Sequence, residues 1–184
     1  MEAGTQSEQA QAQSPPPALA GETIIAALKC AGIEYVLSVP DLHTSAGLLR
    51  PIATDPDLKL IRVCKEDETL GIAAGLSYGD KRALVLVQYT GMLYAMNAIR
   101  GIACDHSMPI CLMVGLLGNE PGKHSRESSK FGVRIIEPML DVLGIAYHRI
   151  DVDADVACIA PAIEDAYTAR KPVAFLLERR PVHA

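Results

Sequence analysis

The chain has no tryptophan and only two phenylalanines in 184 residues, so any core it builds must be aliphatic. Basic residues are in the minority, 17 against 22 acidic, and no cationic stripe stands out that would track a phosphate backbone. Nucleic acid is therefore set aside as a partner. No apolar run approaches the roughly 20 residues a membrane helix needs. The N-terminus lacks a basic segment leading into an apolar one, so no secretory signal is expected. Cys30, Cys64, Cys104, Cys111 and Cys158 are odd in number and match no zinc spacing. Most lie in apolar runs and are expected to be reduced core thiols of a cytoplasmic protein. A P-loop and a glycine-rich dinucleotide fingerprint are missing. So is the strained nucleophile elbow on which a Ser-His-Asp triad depends.

What is present is enough for one domain with a substantial core: 49% of residues are hydrophobic and 21% charged. Residues 1–20, rich in Gln, Ser, Ala and Pro, read as a disordered tail. From 21 onward two periodicities alternate. Helices are expected at 21–31 with Gly32 as C-cap, 46–53, 66–77, 91–103, 135–143 and 156–169. Strands are expected at 35–39, 59–64, 83–88, 109–114, 146–150 and 173–178, with a polar loop from 115 to 132. The strands are nearly continuous apolar runs, which implies a sheet covered on both faces. The fold class is α/β: a doubly wound, mostly parallel six-stranded sheet with helices on both faces. In such sheets ligands gather at the carboxyl ends of the strands.

One of those ends opens with Lys65-Glu66-Asp67-Glu68 and runs into Gly71-Ile72-Ala73-Ala74-Gly75. Spacing alone is satisfied by an acidic first turn on a core helix. The stretch also resembles the pyrimidine-binding domain of thiamine diphosphate enzymes, where a Glu at a strand-to-helix junction precedes a Gly-Ile-Ala-x-Gly run. Counting back from Gly71 gives Glu66 as the matching carboxylate, with Glu68 as the alternative two residues on. Three further segments carry the same resemblance: Val39-Pro40-Asp41 after the first strand; Gln88-Tyr89-Thr90-Gly91 followed by Asn97-Ala98; and Gly118-Asn119-Glu120-Pro121-Gly122. The chain is similar to phosphonopyruvate decarboxylases and to the α subunit of sulfopyruvate decarboxylase over roughly residues 20 to 180.

The resemblance implies a thiamine diphosphate-dependent carboxy-lyase acting on a 2-oxo acid. Glu66 would share a proton with the cofactor's pyrimidine ring, and burial would raise its pKa for that task. Gln88, Thr90 and Gly91 would border the cofactor, and Asp41, His43, Gln88 and His124 would line the substrate side. Asp41 serves equally well as a turn cap. The family's Gly-Asp-Gly metal segment is absent; the only Gly-Asp is Gly79-Asp80, followed by Lys81. The resemblance therefore implies a split enzyme, in which a separate β subunit holds Mg²⁺ and the diphosphate in an α2β2 or larger assembly. Close packing through Gly71, Ala74 and Gly75 is expected at that interface. Leu116-Leu117 stand where the phosphonopyruvate-type pattern carries Trp-Arg, which removes a guanidinium for an anionic head group. Lys123, His124 and Arg126 are candidates to replace it. A carboligase subunit and a non-catalytic module that kept the fold are the alternatives.

Overall fold

The aliphatic runs become six parallel strands because each is apolar on both faces and can be buried only between two helical layers. The computed structural model describes residues 18–120 and 122–183. The strands are β1 (Tyr35–Ser38), β2 (Lys59–Arg62), β3 (Ala83–Gln88), β4 (Cys111–Gly115), β5 (Ala146–Ile150) and β6 (Val173–Leu177), in the spatial order β2-β1-β3-β4-β6-β5. Every pairing is parallel; Gln88 of β3 stands opposite Gly115 of β4, and Gly115 opposite Leu177 of β6. The central strands β3, β4 and β6 are buried throughout apart from Gln88. The outer strands expose Lys59, Arg62 and Arg149, charges that discourage pairing with a further chain.

Alternate side chains feed two cores. Leu84, Leu86, Met113 and Phe175 face one layer, made by α1 (Gly21–Cys30), α2 (Arg50–Thr54) and α8 (Ile159–Ala169). Val85, Leu112, Val114 and Leu176 face the other, made by α3 (Glu66–Tyr78), α4 (Tyr89–Tyr94), α5 (Met96–Ala98), α6 (Phe131–Arg134) and α7 (Ile136–Leu143). The doubly wound architecture expected from the sequence is thus present. Among the described residues no helix is long and apolar enough to cross a membrane.

The differences are local. The helix expected at 91–103 starts two residues earlier, breaks at Ala95 and ends in a wide π-turn segment, Ile99–Asp105. Another π segment, Ser45–Leu49, leads into α2. Helix formation near 135 begins already at Phe131. Leu19 is fully buried and Ala20 bridges Val182, so packed structure extends into the stretch assigned to the tail. The remainder of that tail, 1–17, lies outside the described residues. The core-thiol expectation holds for Cys111 alone. Cys30 and Cys64 are exposed, Cys104 and Cys158 are half-buried, and all five are free. The apolar runs that carry these four belong to half-buried helix faces or strand ends, which an apolar-run count does not distinguish from a core position.

Candidate active site

The carboxyl edge of the sheet gathers Asp41 and His43 after β1, Glu66 after β2, Gln88–Gly91 after β3, the 115–120 segment after β4 and Glu178–Arg180 after β6. Glu66 is the first residue of α3, with Asp67 and Glu68 beside it in a turn where the helix dipole favours negative charge. The two candidate carboxylates have separate fates. Glu68 folds back, and its Oε2 accepts from the backbone N–H of Cys64 (3.0 Å) and Lys65 (3.3 Å), capping the helix. The Glu66 carboxylate has no hydrogen-bond partner among the described residues and lies across Gly91. A methyl group at Gly91 would stand 2.5 Å from Glu66 Cγ and 2.7 Å from its Oε1. Gly91 therefore leaves the space that Glu66 fills.

The burial expected for Glu66 is not supplied by the described residues, among which it is half-buried. It opens a helix at the sheet edge and packs against Gly91. Beside it, Thr90 donates from Oγ1 to Gln88 Oε1 (2.9 Å), which fixes the Gln88 amide.

His43 repeats the arrangement one strand further on. It is buried, and a methyl at Gly115 would stand 2.7 Å from its Cδ2. Its Nε2 lies 3.2 Å from the Arg179 carbonyl, so that nitrogen carries the proton. Burial pushes the His43 pKa below the ordinary value, against the opposing pull of the Asp41 charge. Because Gly115 faces Gln88 across β3 and β4, the order Glu66, Gly91, Gln88, Gly115, His43 forms one continuous rim. Asp41 stands behind the rim as a cap. Its Oδ1 accepts from the His43 (2.6 Å) and Thr44 (2.9 Å) backbone N–H groups, and its Oδ2 from the Thr44 hydroxyl (2.7 Å).

His124 takes another course. Its Nδ1 accepts from the Arg126 backbone N–H (3.2 Å) and lies 3.6 Å from Glu137 Oε1. Arg126 is committed to Glu137 (2.7 Å), Asp141 and the Tyr147 hydroxyl (2.5 and 2.9 Å). Lys123 stands 3.7 Å from Glu120. The three side chains proposed to replace the missing guanidinium thus all face carboxylates of their own loop or of α7. The buried Glu137 that draws in two of them lies beyond that loop in sequence, and no motif announced it.

Sequence reasoning also missed a cavity of about 420 Å³ between the ends of β4 and β6, bordered by His43, Leu117, Asn119, Asp151, Glu178 and the arginines after it. Asn119 donates to the Lys123 carbonyl (3.2 Å), while its Oδ1 is buried without a hydrogen-bond partner among the described residues. The available signal was the Arg179-Arg180 pair immediately past a strand end.

A doubly wound parallel sheet defines the class as an α/β domain, and the Glu66 carboxylate stands at the strand edge where such sheets commonly take ligands. The solved 2-oxoglutarate:ferredoxin oxidoreductase from Magnetococcus marinus is similar to it in fold. The TM-score is 0.66 at 16% identity, covering 86% of this chain and 28% of that one. No family model matches the chain. In sequence it is similar to proteins named sulfopyruvate decarboxylase subunit alpha, which bears out the resemblance read from the motifs. That of Methanococcus maripaludis is 26% identical over 160 residues, covering 86% of this chain and 94% of the relative. That of Methanocaldococcus jannaschii is 28% identical over 153 residues, covering 83% and 89%. That of Methanothermobacter thermautotrophicus is 29% identical over 99 residues, and the match spans 59% of its length.

Proposed function

We propose that this chain is the pyrimidine-binding α subunit of a thiamine diphosphate-dependent 2-oxo acid decarboxylase, active only with a separate diphosphate-binding β subunit. The observation that carries the reading is the Glu66 carboxylate, unpaired at the sheet edge and seated over Gly91, while Glu68 is consumed as a helix cap. The relatives' names support it, since each denotes an α subunit and a decarboxylase.

The residues fit one end of the cofactor. Glu66 offers a carboxylate for a ring nitrogen, and Gln88 and Thr90 border the same edge. Bound there, thiamine diphosphate supplies the carbon nucleophile and electron sink for loss of CO2. The chain's own part is to hold a proton at Glu66, to orient the substrate along the Gln88–His43 rim and, with a partner over it, to exclude water. Among the described residues no group of three or more His, Cys, Asp or Glu converges as a metal site. Mg²⁺ and the diphosphate are assigned to the β subunit, in an α2β2 assembly at least.

The partner's place is beside Glu66. Gly71 and Gly75 of α3 are exposed, with nothing within 4 Å of where a Cβ would project, and Ala74 between them is half-buried. A second subunit on this face would also supply the burial that Glu66 lacks. The deciding experiment reconstitutes the chain with its β subunit and assays CO2 release from a panel of 2-oxo acids. Wild type should turn over at least one, and Glu66→Gln should abolish turnover while leaving assembly intact. Near-normal activity in the variant removes Glu66 from the mechanism.

A further inference from the structure

The cavity between the ends of β4 and β6 contains more charge than its chemistry first suggests, and almost all of it is cancelled. Glu178 is held by Arg149, whose Nη2 donates to its Oε2 at 2.7 Å. Asp151 is held by Arg179, with contacts of 3.0 to 3.2 Å. His43 is neutral at pH 7, because burial lowers its pKa. The remaining charged group on the wall is Arg180, which is exposed and has no hydrogen-bond or ion-pair partner among the described residues. Leu117 and Gly118 supply an uncharged opposite side.

The cavity's position gives that cation a task. Glu66 rests at the end of β3, and the cavity opens beyond the next strand, between one and two strand spacings or roughly 5–10 Å further along the edge. A short 2-oxo acid whose reacting carbons lie near Glu66 would extend its far end over Gly115 and His43 into this space. We propose, resting on the decarboxylase reading, that Arg180 is the specificity-determining residue of this enzyme. It receives a terminal sulfonate, phosphonate or carboxylate of the substrate and takes over the task that Leu116-Leu117 and the 123–126 loop do not perform. A guanidinium suits this role because it presents paired N–H donors to a tetrahedral or planar oxyanion.

Arg180 also borders a second, more open depression of about 600 Å³ together with Arg50, which gives the natural control. The reconstituted enzyme is assayed on two 2-oxo acids of equal length, one ending in sulfonate and one in methyl. Arg180→Gln should raise KM for the sulfonate substrate on the order of 10- to 100-fold, the usual worth of a charge-assisted pair. It should leave the methyl substrate and kcat nearly unchanged, and Arg50→Gln should alter neither substrate. An equal effect of Arg180→Gln on both substrates, no effect on either, or a sulfonate-selective effect of Arg50→Gln instead overturns the assignment. Failure of wild type on every 2-oxo acid would instead count against the decarboxylase reading. The cavity is then judged by titrating the full chain with the sulfonate compound and following arginine Nε–H resonances. A selective shift at Arg180 supports the site, and none rejects it.

Discussion

Replacing Gly91 with alanine moves Glu66 without changing it. The new methyl would lie 2.5 Å from Glu66 Cγ and 2.9 Å from Cδ. Carbon atoms rest at roughly 3.5–4.0 Å, so the side chain must yield by about 1 Å or more. It can do so cheaply: Glu66 is half-buried, its carboxylate is unpaired, and a new or slightly strained rotamer costs about 0.5–1.5 kcal/mol. Alanine is the better helix former by up to about 1 kcal/mol, and Gly91 lies within the first turn of α4. The two terms nearly cancel, so Gly91→Ala should unfold in urea within about 1 kcal/mol of wild type. Catalysis has no such slack. A displacement of about 1 Å at a reacting group costs roughly 100-fold, and the loss should appear in kcat of the reconstituted enzyme. Full activity would show that the Glu66 position does not matter. A loss of several kcal/mol in stability would show instead that Glu66 is wedged, contrary to its free carboxylate.

Two further outcomes are expected. Gly71→Leu projects into open space in this chain, so urea stability should hold or rise slightly while co-purification with the β subunit is lost; retained assembly would move the interface elsewhere. His43 has a folded pKa below its unfolded value, so its neutral form is the one that stabilises the fold. That contribution is complete above the ordinary value of 6.5 and drains away as pH falls through the lower folded value. Urea unfolding at stepped pH should therefore show a decline beginning below about 6.5, and His43→Gln should flatten it.

The sheet was legible because its strands are buried on both faces and their residues say so locally: 83–88 contains five aliphatic residues in succession, and all are buried. The place of Glu66 at the start of a helix is legible because the sign of a helix terminus and a small-residue run are both one-dimensional patterns. What sets Glu68 apart from Glu66 is a pair of backbone hydrogen bonds to its carboxylate, which spacing cannot reveal. His124 and Arg126 were read as substrate contacts because the carboxylate that engages both, Glu137, approaches from a different helix. Arg180 is illegible for the converse reason: it stands out only because neighbouring carboxylates are neutralised by Arg149 and Arg179, a cancellation visible only in three dimensions. The π segments at 45–49 and 99–105 occur in stretches whose sequences read as ordinary helix, so no local pattern announces them.

The position of β6 has a consequence for how the molecule is made. Strand β5 pairs with β6 alone, and β6 follows it in the chain while lying between it and β4. On the ribosome β5 must wait, its backbone unpaired, until the segment 173–177 has emerged and slotted into the gap. Until then β4 is an open edge strand of five buried residues, a template for pairing with other nascent chains. Synthesis in the presence of a chaperone, or the pace at which 173–177 emerges, should thus govern how much of the protein reaches its native form.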